Sequence, residues 1–466
     1  MTIAPENSGT PPDKTVVLQT VTLHARVRRR APFEWLFAGL ILLAGALAGW
    51  RLRSLMDDYD QAILLASTFA LITLGWFWRP LARLMLAVMA AILAAVALYG
   101  GDIQRAQQVF WLKYFLSSQS AMLWMGVLVF MATLFHWTGL LLPDTAIRKD
   151  APPSSALPAS VPTAQRIGSY LAWAAAVMGL TGSGVRWHES YLIGPQVGHV
   201  PLSNLYEVFV LFIWMTLLFG LYFESRNRAR GLNAFVLLVV SAAVAFLFWY
   251  AVSRKGQLIQ PLVPALQSWW MTLHVPANFV GYGMFALAAM AGLMCLLKTA
   301  DARALWMGLA GGPALAAALL AGAAWGLDLA PAKLLGLARM LAGLVALFAM
   351  LIAARRYINP RTPDIALLDD VMYTAIAVGF AFFTIATFLG ALWAAQAWGA
   401  YWSWDPKEVW ALIVWINYAA WLHLRLMKGL RGRLAAWWAL GGLVVVTFAF
   451  VGVNMFLGGL HSYGRL

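Results

Sequence analysis

About thirteen runs of roughly 20 apolar residues follow one another along this chain, near 33–50, 61–78, 81–99, 118–142, 168–186, 203–223, 232–252, 269–297, 304–325, 334–354, 371–393, 407–427 and 434–456. A run that long and that continuously apolar can pair its backbone in lipid only as a helix, because a barrel strand is shorter and alternates. Composition agrees: 62% of the residues are hydrophobic and 11% charged, against roughly 25% charged in ordinary soluble domains. The chain reads as an all-α polytopic integral membrane protein with about thirteen transmembrane helices.

The formal net charge of +14 is a statement about topology. Lys and Arg lie in short loops and not on one soluble face, so no nucleic-acid partner is expected. Sorted by side of the thirteen runs, 22 of them fall with the N-terminus and 10 opposite. The positive-inside rule then sets the N-terminus in the cytoplasm and the C-terminus on the periplasmic or external side. A single cysteine, Cys295, leaves no intramolecular disulfide and no cysteine metal cluster. Residues 1–32 lack the short apolar core of a cleaved signal and read as a disordered cytoplasmic tail. Next come a four-helix membrane part at 33–142 and a cytoplasmic linker at 143–167, Pro/Ala/Ser-rich over 150–165. The remainder, 168–466, contains an extra apolar hairpin at about 300–354 and a tryptophan-rich segment at 393–410.

Within that segment, "WGAYWSWDPKEVW" sets four tryptophans and a tyrosine around a charged knot at the outer boundary. Tryptophan and tyrosine gather at membrane interfaces for their amphipathic rings alone. Asp405, Pro406 and Glu408 also have a structural reading, as N-cap, first helical residue and third residue of a capping box. What those readings leave over is the coincidence with histidine. Of the seven, His24 belongs to the tail, while His188 and His199 share an outer loop. His136 approaches the inner end of the fourth run. His274 and His461 both fall at the outer level, beside the aromatic segment. His423 lies 16 residues beyond Lys407, about 24 Å deeper at helical rise. Haem is a flat apolar ring whose iron takes imidazoles on both faces. His274 and His461 therefore become candidate axial ligands, with Trp398, Trp402, Trp404, Trp410 and Trp270 as candidate ring contacts. Helical spacing aligns Trp270, Asn278 and Tyr282 with His274, and Gly458 and Gly459 let the chain bend toward His461.

"WGAYWSWDPKEVWALIVWINYAAWLHLRL", "GVNMFLGGLHSYG", "LDDVMYTAIAVGFAFFTIATFLGALW", "MTLHVPANFVGYGMFALA" and "GHVPLSNLYEVFVLF" resemble the WWD-domain haem-handling proteins. The resemblance is to the CcsA/ResC-type subunit of the System II cytochrome c synthase, from about residue 168 to the C-terminus. It implies a multi-pass protein of the bacterial cytoplasmic membrane, acting on the periplasmic face with a ResB/CcsB-type membrane subunit. Its substrates would be haem b and apocytochrome c, whose Cys-x-x-Cys-His thiols add to the haem vinyl groups. His274 and His461 match the family's external axial ligands, and His423 its histidine within the membrane, at an inner haem site. Trp398, Tyr401, Trp402, Trp404 and Asp405 match the signature and would contribute haem positioning, with no other catalytic residue implied. Two rivals are a transporter of haem or another amphipathic solute without synthase activity, and a haem chaperone subunit of the multi-component maturation system. The hairpin at 300–354 and the first four helices depart from the family's short form.

Overall fold

The computed structural model describes residues 30–142 and 163–461, apart from 55, 228, 230 and 327–330. Nearly all of the expected N-terminal tail and linker lies outside the described residues. Every long element among those described is a helix, and no strand occurs. We number them α1 (Pro32–Arg51), α2 (Asp58–Phe77), α3 (Arg79–Tyr99), α4 (Ser118–Leu141), α5 (Thr163–Ile193), α6 (Leu205–Asn227) and α7 (Leu232–Arg254). There follow α8 (Trp270–Thr299), α9 (Gly312–Gly326), α10 (Pro331–Ile358), α11 (Ile365–Trp398), α12 (Pro406–Lys428) and α13 (Gly432–Thr447). A π turn, Phe448–Gly452, and a last short helix, Val453–Phe456, prolong α13.

Twelve helices among the described residues are long and apolar enough to cross a membrane. The thirteenth expected span, α5, is a 31-residue helix that falls short of them in apolarity. Its polar side chains point inward: Gln165, Thr181, Arg186, Glu189 and Ser190 are all buried. A helix that pairs its polar groups inside the protein can lack an apolar signal and still be surrounded by helices. Glu189 shows the pairing, taking hydrogen bonds from Tyr99 Oη at 2.5 Å, from Ser118 N at 2.9 Å and from the Ser118 hydroxyl.

The chain divides into two compact units, residues 1–82 and 83–466. In the first, α1 and α2 meet through Phe37 and Gly75, and the Glu34 carboxylate accepts from Arg79 at 2.9 Å. In the second, α8 is the axis, with 89% of its apolar window buried. Close approach needs small residues there. A Cβ on Gly292 would come within 3.0 Å of the Ala436 carbonyl of α13, and one on Gly281 within 3.0 Å of Phe383 of α11. α4 packs on α5 in the same way, with Gly168 against the His136 ring and Gly182 against Met122. By contrast, the hairpin of α9 and α10 carries many exposed apolar residues, among them Leu315, Leu319, Met340 and Met350.

Helix boundaries near the tryptophan segment have local causes. α11 starts on Asp364, whose carboxylate accepts from Leu367 N at 2.7 Å, and stops where Gly399 takes φ 79°. α12 starts on the expected box: Asp405 accepts from Lys407 N at 3.0 Å, and Glu408 returns the favour to Asp405 N at 3.1 Å. It ends at Gly429, φ 66°. Seven residues between α11 and α12, 399–405, thus form a fixed loop at one end of the bundle.

Candidate functional site

At that end, α8, α11, α12, the tail of α13 and the segment before α6 surround a cavity of ≈ 230 Å³. His274, from the second turn of α8, and His461, from the chain beyond α13, both line it. Each ring is held by one nitrogen. His274 Nδ1 donates to the Ala386 carbonyl of α11 at 2.8 Å, and His461 Nδ1 to Asp405 Oδ2 at 3.0 Å. Both Nε2 atoms are left for the cavity, that of His274 taking only a 3.1 Å bond from Asn278. The Nδ1 bond is how a protein fixes tautomer and ring plane in a histidine that binds metal.

The neighbours leave little freedom. A Cβ on Gly390 would come within 2.7 Å of the His274 ring, and Trp393 closes its edge at 5.7 Å. Trp398 lies edge-on to His461 at 4.6 Å. Asp405 does more than cap α12, because its Oδ1 also accepts from Leu460 N at 2.5 Å. A Cβ on Gly459 would collide with that same oxygen at 2.2 Å, so the expected bend does bring the backbone against the carboxylate. Burial works to raise the Asp405 carboxyl, yet the Lys407 amide and His461 hold it below the usual carboxylate range. The His461 imidazole is pushed down by burial and then by the positive charge of Lys407, with Asp405 pulling the other way.

Trp404 stands at φ 59°, left-handed backbone that strains a bulky residue by about 1–3 kcal/mol. The loop is locked around it, since Ser403 N and Asp405 N both donate to Glu408 Oε2, at 2.7 and 3.1 Å. The strain turns Trp404 outward, 69% exposed and edge-on to Trp402 at 6.0 Å.

The cavity thus brings together His274, His461, Trp398, Tyr401 and Trp402, with Asn278 and Tyr282 from the α8 stripe. Other expected contacts lie elsewhere. Trp270 stacks on Trp269 at 3.9 Å and donates to Gln396 at 2.7 Å. Trp410 packs on Phe448 at 4.3 Å. His423 is exposed on α12, 16 residues along the helix from Lys407. His136 is fully buried against Gly168 of α5 with neither ring nitrogen paired. His199 is a structural residue, bonded to the Val197 carbonyl at 2.6 Å and to Ser203 at 3.1 Å. Sequence reasoning passed over Gly390, Trp393 and the Asp405–His461 bond, which join residues far apart in the chain. It also passed over Lys407 as a lining residue, because its place between Asp405 and Glu408 reads as part of a charged helix start.

The donor set can be tested for what it would hold. Among the described residues no three His, Cys, Asp or Glu side chains gather round a common point, so a bare ion would find too few ligands. Two imidazoles suit an iron whose equatorial positions a macrocycle already fills. Fold and cavity together define a helical multi-pass membrane protein with an aromatic, histidine-flanked pocket at one end of its bundle.

Comparison with known proteins gives the family. The cytochrome C assembly protein model matches residues 202–461, which contain every lining residue of the cavity. The chain is similar to the cytochrome c biogenesis protein CcsA of Microcystis aeruginosa, 31% identical over 339 residues, covering 72% of this chain and 94% of the relative. It is 32% identical over 332 residues to that of Synechococcus elongatus (71% and 92% covered) and 34% over 281 residues to that of Parasynechococcus marenigrum (60% and 80%). The chain therefore belongs to the cytochrome c assembly family, in its CcsA-type branch, and serves cytochrome c maturation. Haem handling follows from that membership.

Proposed function

We propose that the chain holds haem b between His274 and His461 and presents it for covalent attachment to apocytochrome c, as a synthase subunit working with a ResB/CcsB-type partner. One observation carries this reading: two imidazoles line one cavity, each pinned through Nδ1, with Nε2 of His461 unbonded among the described residues and Nε2 of His274 met only by Asn278. The reaction balances without an outside redox agent. Each apocytochrome thiol adds across one vinyl group, sulfur to the carbon next to the ring and hydrogen to the terminal carbon.

Since the nucleophiles come from the substrate, the protein's part is to fix the ring and raise effective concentration. Trp398 and Trp402 pack the cavity wall, and Asp405 aims His461. His423, exposed on α12, is suited to an inner station whose second ligand comes from the partner subunit. By the charge count the cavity faces the periplasmic side of a bacterial cytoplasmic membrane and the N-terminus faces the cytoplasm.

The test is coexpression with a c-type apocytochrome, with and without the partner subunit, followed by a haem stain of denatured protein. Covalent haem only with the partner supports the synthase reading. Haem crossing the membrane with none attached would replace it by transport, and attachment only alongside multi-component maturation proteins would replace it by the chaperone role.

A further inference from the structure

The cavity wall contains one charged group that neither the capping box nor the histidine clamp uses. Lys407 lines the same cavity as His274 and His461. Its backbone N–H serves the Asp405 cap, but among the described residues its ammonium makes neither a hydrogen bond nor an ion pair. The carboxylates nearest in sequence are committed in all but one oxygen, Glu408 Oε1, which among the described residues has no hydrogen-bond partner. Asp405 receives Leu460 N, Lys407 N and His461 Nδ1. Glu408 Oε2 receives Ser403 N and Asp405 N. Ala411, Ala449 and Phe450 are among the apolar residues that line the same cavity. Lys407 is half-buried, and an ammonium partly withdrawn from water is stabilised where an anion meets it.

We infer that Lys407 is a carboxylate anchor, holding a propionate of the haem that His274 and His461 grip by its iron. The inference rests on the reading of the cavity as the haem site. Iron ligation alone leaves the ring free to rotate about the axis joining the two imidazoles. A fixed cation at the rim removes that freedom. The propionates sit on two neighbouring pyrroles and the vinyls on the other two, so anchoring the acid edge turns the vinyl edge away from Lys407. Lys407 is thus a positioning residue that decides which edge of the ring the thiols meet. A point charge on a flexible stem suits a carboxylate whose own chain is flexible.

The test uses the purified full chain in detergent at pH 7, titrated with haem and with haem dimethyl ester, which keeps iron and vinyls but lacks the anionic charge. Low-spin absorbance reports binding. Wild type should prefer the free acid by about tenfold or more, as expected for a charge-assisted hydrogen bond. Lys407→Met should bring that preference close to unity with the low-spin spectrum retained, and Lys407→Arg should keep most of it. Equal binding of the two porphyrins by wild type, or an undiminished preference in Lys407→Met, overturns the anchor. Because the first of those results needs no variant, poor folding of Lys407→Met cannot shelter the idea. A high-spin spectrum in wild type, unaffected by His274→Ala and His461→Ala, would instead overturn the haem-site reading and the anchor with it.

Discussion

The two ends of α12 treat charge in opposite ways. At its far end Arg425 and Asp369 of α11 form a buried pair at 2.5 Å, and Arg425 Nη1 donates to the Leu430 carbonyl at 2.8 Å. That end is closed on itself. At its near end, among the described residues, Lys407 lines the cavity without a hydrogen bond or ion pair, and Glu408 Oε1 is buried without a partner. Helices held together by polar groups satisfy them internally, whereas a site keeps some of them for what it binds. The contrast separates the part of the helix that maintains the fold from the part that serves a ligand.

Breaking the closed end should have the largest effect on stability. Arg425→Ala leaves Asp369 buried and unpaired, an expected loss of about 3–5 kcal/mol, and thermal aggregation of the detergent-solubilised protein measures it. Replacing both partners, Arg425→Met with Asp369→Leu, should recover most of that loss. A double variant as unstable as the single one would mean that the pair does more than neutralise itself.

The near end responds to shape. Gly390→Ala drives a methyl group into the His274 ring, and overpacking of this kind costs about 1–3 kcal/mol. The sharper expectation is spectroscopic: the displaced imidazole should weaken low-spin haem binding even where the protein still folds. A normal spectrum would show that the α8–α11 contact yields without moving His274.

Asp405 joins structural and ligand duties in one carboxylate. Asp405→Asn can still cap α12, so it should keep most of the stability that Asp405→Ala loses, about 1 kcal/mol. Haem retention should fall further in the alanine variant, because an asparagine oxygen can still accept from His461 Nδ1. Equal and complete loss of haem in both would assign the effect to the negative charge itself.

The smallest stability effect belongs to His423→Ala, within about ±0.5 kcal/mol for an exposed side chain. Its functional effect should be visible all the same. If His423 is an earlier station, haem reaching the His274/His461 cavity in cells should drop, while haem added to the purified protein should bind as before. Undiminished cellular loading would leave His423 as a boundary residue. His136→Ala serves as the control, since burial against Gly168 keeps that ring from any ligand of comparable size.

Local sequence determined a great deal here, because the membrane allows few alternatives. Lipid obliges each apolar run to be a helix, so the runs at 33–50, 232–252 and 371–393 all lie inside observed helices. The α12 cap was equally legible, since a capping box is made by residues three apart. The two histidines could be placed at one level by counting residues along helices. Tertiary structure decided the rest. α5 lacks a strong apolar signal because Arg186 and Glu189 find partners inside, Arg186 pairing with Glu207 at 2.8 Å. Which tryptophans face the cavity depended on a backbone turn at Trp404 that Glu408 enforces from the next helix. Asp405 and His461 stand 56 residues apart and meet because α12 and the end of α13 converge. Sequence fixes what a residue can do within a turn or two of its own helix, and only the packing of one helix on another decides which nitrogen, carboxylate or ammonium is left free for a ligand.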